Sequence, residues 1–313
     1  MDNITHTLAG ALLGEMGLKR RSRFAMAACL LGANAPDIDV FAPLVLPVDG
    51  IAFHRGPVHG VFAWPILAAG IVAILWLVDR VKPRRPRTLP FRPAALFVVA
   101  FLAVLTHPFL DWLTTYAIAI FAPVSWRWYS GNAIFIIDWV YWVLMIGGIG
   151  LTIWRERRHL PNPGRPAQIA GAIMLAYIGL NLAESIWIER TTAAQLQTRG
   201  IEPRLIVASP PPLAFWRRTI AWRSADRFGS GSFTRDAGVK LDLATKPIGL
   251  DNPQLALARR TSRHVRSFLT WSRMPIVVSI DGRAYLTDQR YYDATRSRSS
   301  FFLIPLDNER PNS

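Results

Sequence analysis

Between Gly60 and Val78 the chain carries no charged side chain, and a run of about 20 apolar residues is what a helix needs to cross the hydrocarbon core of a bilayer. Similar stretches run from Pro93 to Leu110, from Trp139 to Trp154 (back to Ala133 if Asp138 is counted inside), and from Pro166 to Ala183. A soluble protein can bury one such helix, but four in succession would need a very large dry core. Half of the 313 residues are apolar, which soluble domains seldom match. The expected fold is therefore mainly α, a polytopic membrane helical bundle whose first partner is the lipid bilayer.

The formal charge of +15 invites a nucleic-acid reading. It is set aside because the basic residues gather in short loops beside apolar runs, as cytoplasmic loops do, and only four of 36 are Lys. Three clusters, Lys19 to Arg23, Arg80 to Arg92 and Arg155 to Arg165, are expected on the cytoplasmic side of a bacterial inner membrane. The later spans then alternate so that whatever follows residue 190 lies outside, on the periplasmic side. Apolar stretches from Ile4 to Leu18 and from Phe24 to about Ala35 are short for spans and read as a hairpin pair around the first basic turn. A signal peptide would carry its charge before the apolar stretch, not after it. Cys29, the single cysteine, reads as a small packed side chain.

On this topology His6, Asp37, Asp39, His54, His59, His107 and Asp111 all fall at the outer ends of their helices. His107 and Asp111 are four apart and share one helix face, within reach of a common ion. Pro36 is expected to stop a helix and leave Asp37 and Asp39 on an extended or turn segment, where alternate residues point the same way. Arg55-Gly56-Pro57 is expected to form a turn between His54 and His59, with Pro57 starting the next helix. Imidazole and carboxylate are ligands of zinc, manganese and non-haem iron. Seven candidates exceed what one zinc needs, so one or more divalent ions are expected, two of them bridged by Asp111, Asp37 or Asp39 in one version. Lone histidines at helix ends usually cap or sit at an interface, but ionisable groups gathered in membrane segments default to function. Asp37, Asp39 and Asp138 are the catalytic candidates, Asp138 as a general base, a further ligand or the partner of Arg127. Trp126, Trp128, Trp139 and Trp142 read as an interfacial belt, and His159 and His264 lie outside the cluster.

His6, Pro36-Asp37-Ile38-Asp39, His54-Arg55-Gly56-Pro57-Val58-His59 and Thr106-His107-Pro108-Phe109-Leu110-Asp111-Trp112-Leu113-Thr114, followed by Trp126-Arg127-Trp128, resemble the YdjM family of inner-membrane proteins, inferred to be metal-dependent hydrolases. The likeness covers about the first 155 residues. It implies a helical membrane domain distantly similar to zinc-dependent phospholipase C and related nucleases. His107 and Asp111 would then be ligands, completed by His6, the Asp pair and His59. The chain departs from the family's pattern at Val58 and Gly60, where Thr and Ser are frequent, and at Ala117, where Gly is usual.

After Glu189 polar residues, prolines and short alternating stretches replace the long apolar ones. Residues 1–190 are expected as the membrane domain and 191–313 as a smaller β-rich (α+β) extracytoplasmic domain. Strands are expected at Arg204 to Ala208, Arg218 to Arg223, Gly231 to Arg235, Pro275 to Ile280, Arg283 to Thr287 and Phe301 to Pro305. A helix is expected from Asn252 to Phe268, and Asp281-Gly282 marks a hairpin. The expected function is hydrolysis of an ester or phosphoester, in a lipid or envelope substrate, by metal-activated water. The alternatives are a non-catalytic membrane protein with a structural metal site and a partner-binding β domain, and a transporter.

Overall fold

The computed structural model describes residues 1–81, 89–292 and 302–307. Most of the basic cluster between Arg80 and Arg92 therefore lies outside the described residues, as does Phe301. The chain forms two compact units, Met1–Leu46 with Phe53–Leu182, and Pro47–Ala52 with Ala183–Ser313.

The first unit is helical. It contains α1 (Asn3–Glu15), α2 (Ala25–Asn34), a 3-10 turn (Ala35–Phe41), α3 (Ala42–Val45), the end of α4 (Gly50–Phe53), a second 3-10 turn (Pro57–His59), α5 (Ala63–Val81), α6 (Pro93–Trp112), α7 (Trp139–Arg157) and the first part of α8 (Arg165–Gln197). Asp2 caps α1 by accepting from the Thr5 amide, and Asp138 caps α7 by accepting from Val140 and Tyr141. Among the described residues four helical stretches are long and apolar enough to cross a membrane: Ala25–Val45, Ala63–Val81, Pro93–Trp112 and Arg165–Gln197. Ile66, Ile74, Leu77, Val98, Leu102 and Leu180 stand exposed on these stretches, as lipid-facing residues do.

This set differs from the sequence expectation in two ways. The stretch at 25–45 is longer than the expected Phe24–Ala35: α2 ends ahead of Pro36, at Asn34, but a 3-10 turn continues the helical path. A proline is tolerated in the first turn of a new helical segment, and here it converts α2 into a 3-10 turn that runs on to α3. The expected span at 139–154 is covered by α7, but that helix ends on Arg155, Glu156 and Arg157 and is not among the four.

Small residues set the helix spacing. A methyl group at Gly10 would fall 2.6 Å from the Cys29 carbonyl oxygen, and one at Gly32 would fall 2.7 Å from the Ala103 Cβ and 2.9 Å from the Ala100 oxygen. Helix α2 is thus pressed against α1 on one side and α6 on the other, the close approach that membrane helices use in place of a hydrophobic driving force. Ala28, Cys29, Ala68, Leu96, Ala100, Ala103 and Val104 fill the seam between α2, α5 and α6.

The second unit is β-rich. An antiparallel sheet has the order β1-β2-β3-β4, from β1 (Leu205–Ser209), β2 (Arg217–Arg223), β3 (Arg227–Thr234) and β4 (Gly238–Leu241), with β5 (Lys246–Pro247) also on β3. A second sheet, β6-β7-β8, comprises β6 (Pro275–Ile280), β7 (Arg283–Asp288) and β8 (Ile304–Pro305). Asp281 and Gly282 both take positive φ, 52° and 78°, the turn that matches the twist of a two-residue hairpin. The expected helix from Asn252 to Phe268 is two helices, α9 (Pro253–Thr261) and α10 (Arg263–Trp271), because Ser262 breaks the run and caps the second by accepting from Val265.

The division within α8 falls after Leu182, ahead of the expected residue 190. Ile188 and Leu196 continue the apolar stripe of α8 into the core of the first sheet, with Ala208, Ile220, Trp222 and Phe233. Glu184 pairs with buried Arg218 at 2.7 Å, and Glu189 accepts from the Ala208 amide. These charges at the end of α8 are therefore fastenings of the β unit.

Asp288 joins the second sheet to the turn after α10. Its carboxylate accepts from the Ser272 hydroxyl at 2.5 Å, the Met274 amide at 3.3 Å and the Arg290 guanidinium at 2.7 Å, and both charged side chains are fully buried. Burial alone would raise this carboxyl, but Arg290 and Ser272 more than offset it and hold it below the ordinary carboxylate range. A depressed folded-state value stabilises above the unfolded value near 4, and that contribution is lost as pH falls through the folded-state value. Asp288→Asn removes the carboxylate that pairs with buried Arg290 and is expected to cost about 3–5 kcal/mol. Hydrogen exchange over residues 272–290 of the full chain checks this, with protection lost in the variant and, in the native chain, below pH 4.

Candidate metal centre

The site is built in the first unit from four segments far apart in sequence. Helix α6 carries His107 and Asp111 one turn apart, and both are buried. The 3-10 turn after α2 carries Asp37 and Asp39. Both carboxylates reach the His59 ring, Asp37 at Nε2 and Asp39 at Nδ1, while Asp37 also meets His107 and Asp39 also meets His54. The turn Pro57–His59 carries His59, and helix α5 starts only at Ala63. Helix α1 carries His6.

His107 Nδ1 stands 2.7 Å from the Ala33 carbonyl oxygen. A carbonyl only accepts, so Nδ1 bears the hydrogen and Nε2 of the neutral ring offers a lone pair. His59 Nδ1 lies 3.0 Å from Asp39 Oδ2 without hydrogen-bond geometry. The Nε2 atoms of the two rings face each other at 3.1 Å, a separation that a hydrogen bond between the rings or a cation shared by them accounts for.

Two carboxylates complete the ring. Asp37 Oδ1 is 3.2 Å from His107 Nε2 and 3.5 Å from His59 Nε2, and Asp111 Oδ2 is 3.4 Å from both. Ligand atoms about 2.0–2.1 Å from a tetrahedral zinc stand about 3.3 Å from one another, so these five separations are those of a tetrahedral donor set. Asp111 Oδ2 has no hydrogen-bond donor although it is buried. Asp37, His59, His107 and Asp111 can therefore hold a metal ion. Three of the four side chains are essentially inaccessible, and Asp37, 13% exposed, is the one with a solvent edge.

Asp39 is also the centre of a second acidic and imidazole group with His54 and His59. Its Oδ1 takes His54 Nδ1 at 2.9 Å and its Oδ2 takes the Arg55 amide at 3.1 Å. His54 is 29% exposed and lies at the mouth. His6 stacks on His107 with ring centroids 3.6 Å apart, and its Nε2 is 3.4 Å from Asp111 Oδ1. Neither ring nitrogen of His6 has a hydrogen-bond partner. The Met1 amino group contacts the same Asp111 oxygen.

All seven expected cluster residues thus come together, whereas Asp138 is engaged elsewhere. Its carboxylate caps α7 and takes the Tyr177 hydroxyl at 2.9 Å. His264 pairs with Asp49 in the β-rich unit, and Cys29 is buried in the α2–α6 seam. An apolar cavity of 710 Å³, lined by Leu102, Leu105, Thr106 and Phe109 among others, lies on the face of α6 turned away from His107 and Asp111. It is not part of the metal cluster.

The sequence reading passed over Arg55. Its guanidinium sits 2.9 Å from Asp111 Oδ1 and 3.0 Å from the Thr114 hydroxyl, over the face of Tyr116. Its backbone takes a left-handed φ of 63°, which costs roughly 1–2 kcal/mol for a residue with a side chain. The available signal was a basic residue remote from every basic loop, flanked by His54 and Gly56. Ala117 has a φ of 77°, a conformation that glycine takes without strain.

These are the features of a helical membrane protein with a buried imidazole and carboxylate centre. The chain belongs to the YdjM family: the family described as "YdjM inner membrane protein" matches residues 1–188. It is also 25% identical over 284 residues to the "Uncharacterized protein YfhP" of Bacillus subtilis (strain 168), covering 87% of this chain and 80% of that one. No solved structure matches it significantly.

Asp39 touches the donor set only through His59, and carboxylates placed so typically contribute 10–100-fold to metal affinity. Asp39→Asn is expected to weaken zinc binding by that factor while leaving the helices intact, as read by isothermal titration and circular dichroism of the purified chain.

Proposed function

We propose that this protein is a membrane-bound metal-dependent hydrolase of ester or phosphoester bonds. It uses at least one divalent ion, with zinc favoured by the mixed imidazole and carboxylate donors. The observation that carries this reading is the facing pair of Nε2 atoms, ringed by two carboxylates at tetrahedral separations. A divalent ion held there would supply Lewis acidity and make water nucleophilic at neutral pH.

The chain's own residues divide the remaining work. Asp37, with its solvent edge, marks where water or a substrate oxygen enters. Asp39 orients His59 and His54 and acts through them. His54, at the mouth with Nδ1 held by Asp39, can exchange a proton at Nε2 with solvent or a leaving group. Asp138 keeps a structural role at the start of α7.

Burial favours a second reading, a structural site, because structural zinc sites are closed by four protein ligands. Replacing His107 or Asp111 with Ala separates the two. Under the hydrolase reading, bound metal falls from stoichiometric to near zero and hydrolysis of phosphoester and lipid-ester substrates disappears with it, while the chain still purifies as a folded monodisperse species. Stoichiometric metal surviving both changes sinks the site. Loss of fold with the metal, from a native chain that hydrolyses nothing in the screen, favours the structural reading.

The site is proposed to open at the outer face of a bacterial inner membrane, against a lipid or envelope substrate, with the C-terminal domain on the same side. The basic clusters around residues 19–23 and 155–165, at the opposite ends of the helices from the cluster, support this orientation. Alkaline phosphatase fused after residue 200 should be active and a fluorescent protein there dark, and the reverse pattern would invert the topology.

A further inference from the structure

Three carboxylates, those of Asp37, Asp39 and Asp111, are gathered with imidazoles in a pocket where Asp39 and Asp111 are almost wholly buried. Uncompensated charge is costly in such surroundings. Among the described residues the cations placed against these carboxylates are the Arg55 guanidinium, itself 4% exposed, and the Met1 amino group, both on Asp111 Oδ1. Three negative charges less two positive leave one uncompensated, which a single divalent ion covers and two would overshoot.

Geometry points to the same count. Asp111 presents Oδ2 to His59 and His107, within the tetrahedral donor set, and Oδ1 to Arg55, the Met1 amino group and His6. A carboxylate bridging two metal ions would have its second oxygen on the second ion. Here that position is taken by the Met1 amino group and by the guanidinium, which Thr114 and the Tyr116 ring hold from behind. The same residue gives its backbone N–H to Asp39, and its carbonyl accepts from Ala119 at 3.0 Å. Arg55 therefore fixes both the inner carboxylate and the one that orients His59. The left-handed backbone at Arg55 fits this double engagement, since local strain persists where surrounding contacts over-determine it.

We propose that Arg55 takes the place of a second metal ion, as a positioning residue that holds Asp111 from its far oxygen and limits the centre to a single divalent cation. This rests on the metal-site reading above and narrows it, because two bridged ions had been an open alternative. A guanidinium suits the task better than an ammonium: its charge is permanent and its fork engages a carboxylate and a hydroxyl together.

Zinc titration of the full chain in detergent, with elemental analysis after gel filtration, tests it. The native protein is expected to bind one zinc per chain. Arg55→Gln is expected to lower affinity by about 10–100-fold, and Arg55→Lys, which keeps the charge, to recover most of that loss with a stoichiometry of one. Circular dichroism identifies a variant that fails to fold, and Arg55→Lys then carries the comparison alone. Two tightly held ions in the native chain would overturn the proposal while leaving the metal site standing. Unchanged affinity in folded Arg55→Gln, or a second ion in Arg55→Lys, would also overturn it. Absence of zinc from the native chain would overturn this proposal and the site together.

Discussion

Two imidazole rings and two carboxylates crowded into a space that excludes water carry an electrostatic cost, and that cost grows as water is removed. His59 and His107 meet in this way at 3.1 Å with no accessible surface on either ring. Most of the first unit can be understood as what is needed to bring these groups together in spite of that cost. The fold supplies close helix packing and, for His107, a hydrogen bond from Nδ1 to the Ala33 carbonyl. The remaining compensation is electrostatic, in part from Arg55 and in part from the cation proposed to lie between them.

Packing delivers the parts. Because Gly32 and Ala103 let α2 lie directly on α6, the Ala33 carbonyl reaches His107 and fixes its tautomer. The same contact sets the 3-10 turn beside the end of α6, which carries Asp37 to the donor set and Asp39 behind it. The loop after α6 closes over the His59 turn. Val61 donates to the Ile120 carbonyl, Trp64 donates to the His59 carbonyl, and a methyl group at Gly60 would meet the Ala122 oxygen at 2.7 Å. Gly60 is thus the residue that admits this cover.

Much of this was legible in the sequence, because a bilayer imposes a length and an apolarity that few other structures share. The helices at 63–81, 93–112 and 165–197, the hairpin at Asp281-Gly282 and the convergence of seven His and Asp residues follow from hydropathy, turn chemistry and the tendency of membrane charges to gather. The misses have physical causes. Pro36 does end α2, but the apolar path runs on past it, because a proline at the start of a 3-10 turn breaks no hydrogen bond that the turn requires. Asp138 was read as chemistry, and a carboxylate at the head of a helix is as readily a cap. Arg55 was read as part of a turn, because charge balance depends on which groups meet in space and leaves no trace in spacing. In α8 the boundary was set at residue 190, where the composition changes, whereas the division falls after Leu182, because Ile188 and Leu196 pack on the sheet that follows.

The most direct measurement of the central claim is X-ray absorption at the zinc edge of the purified, zinc-loaded protein. The account predicts a shell of four nitrogen and oxygen neighbours at about 2.0–2.1 Å, with multiple scattering from two imidazoles. A shell of oxygen alone, lacking any imidazole signature, would contradict it, because His59 and His107 would then be holding nothing between them.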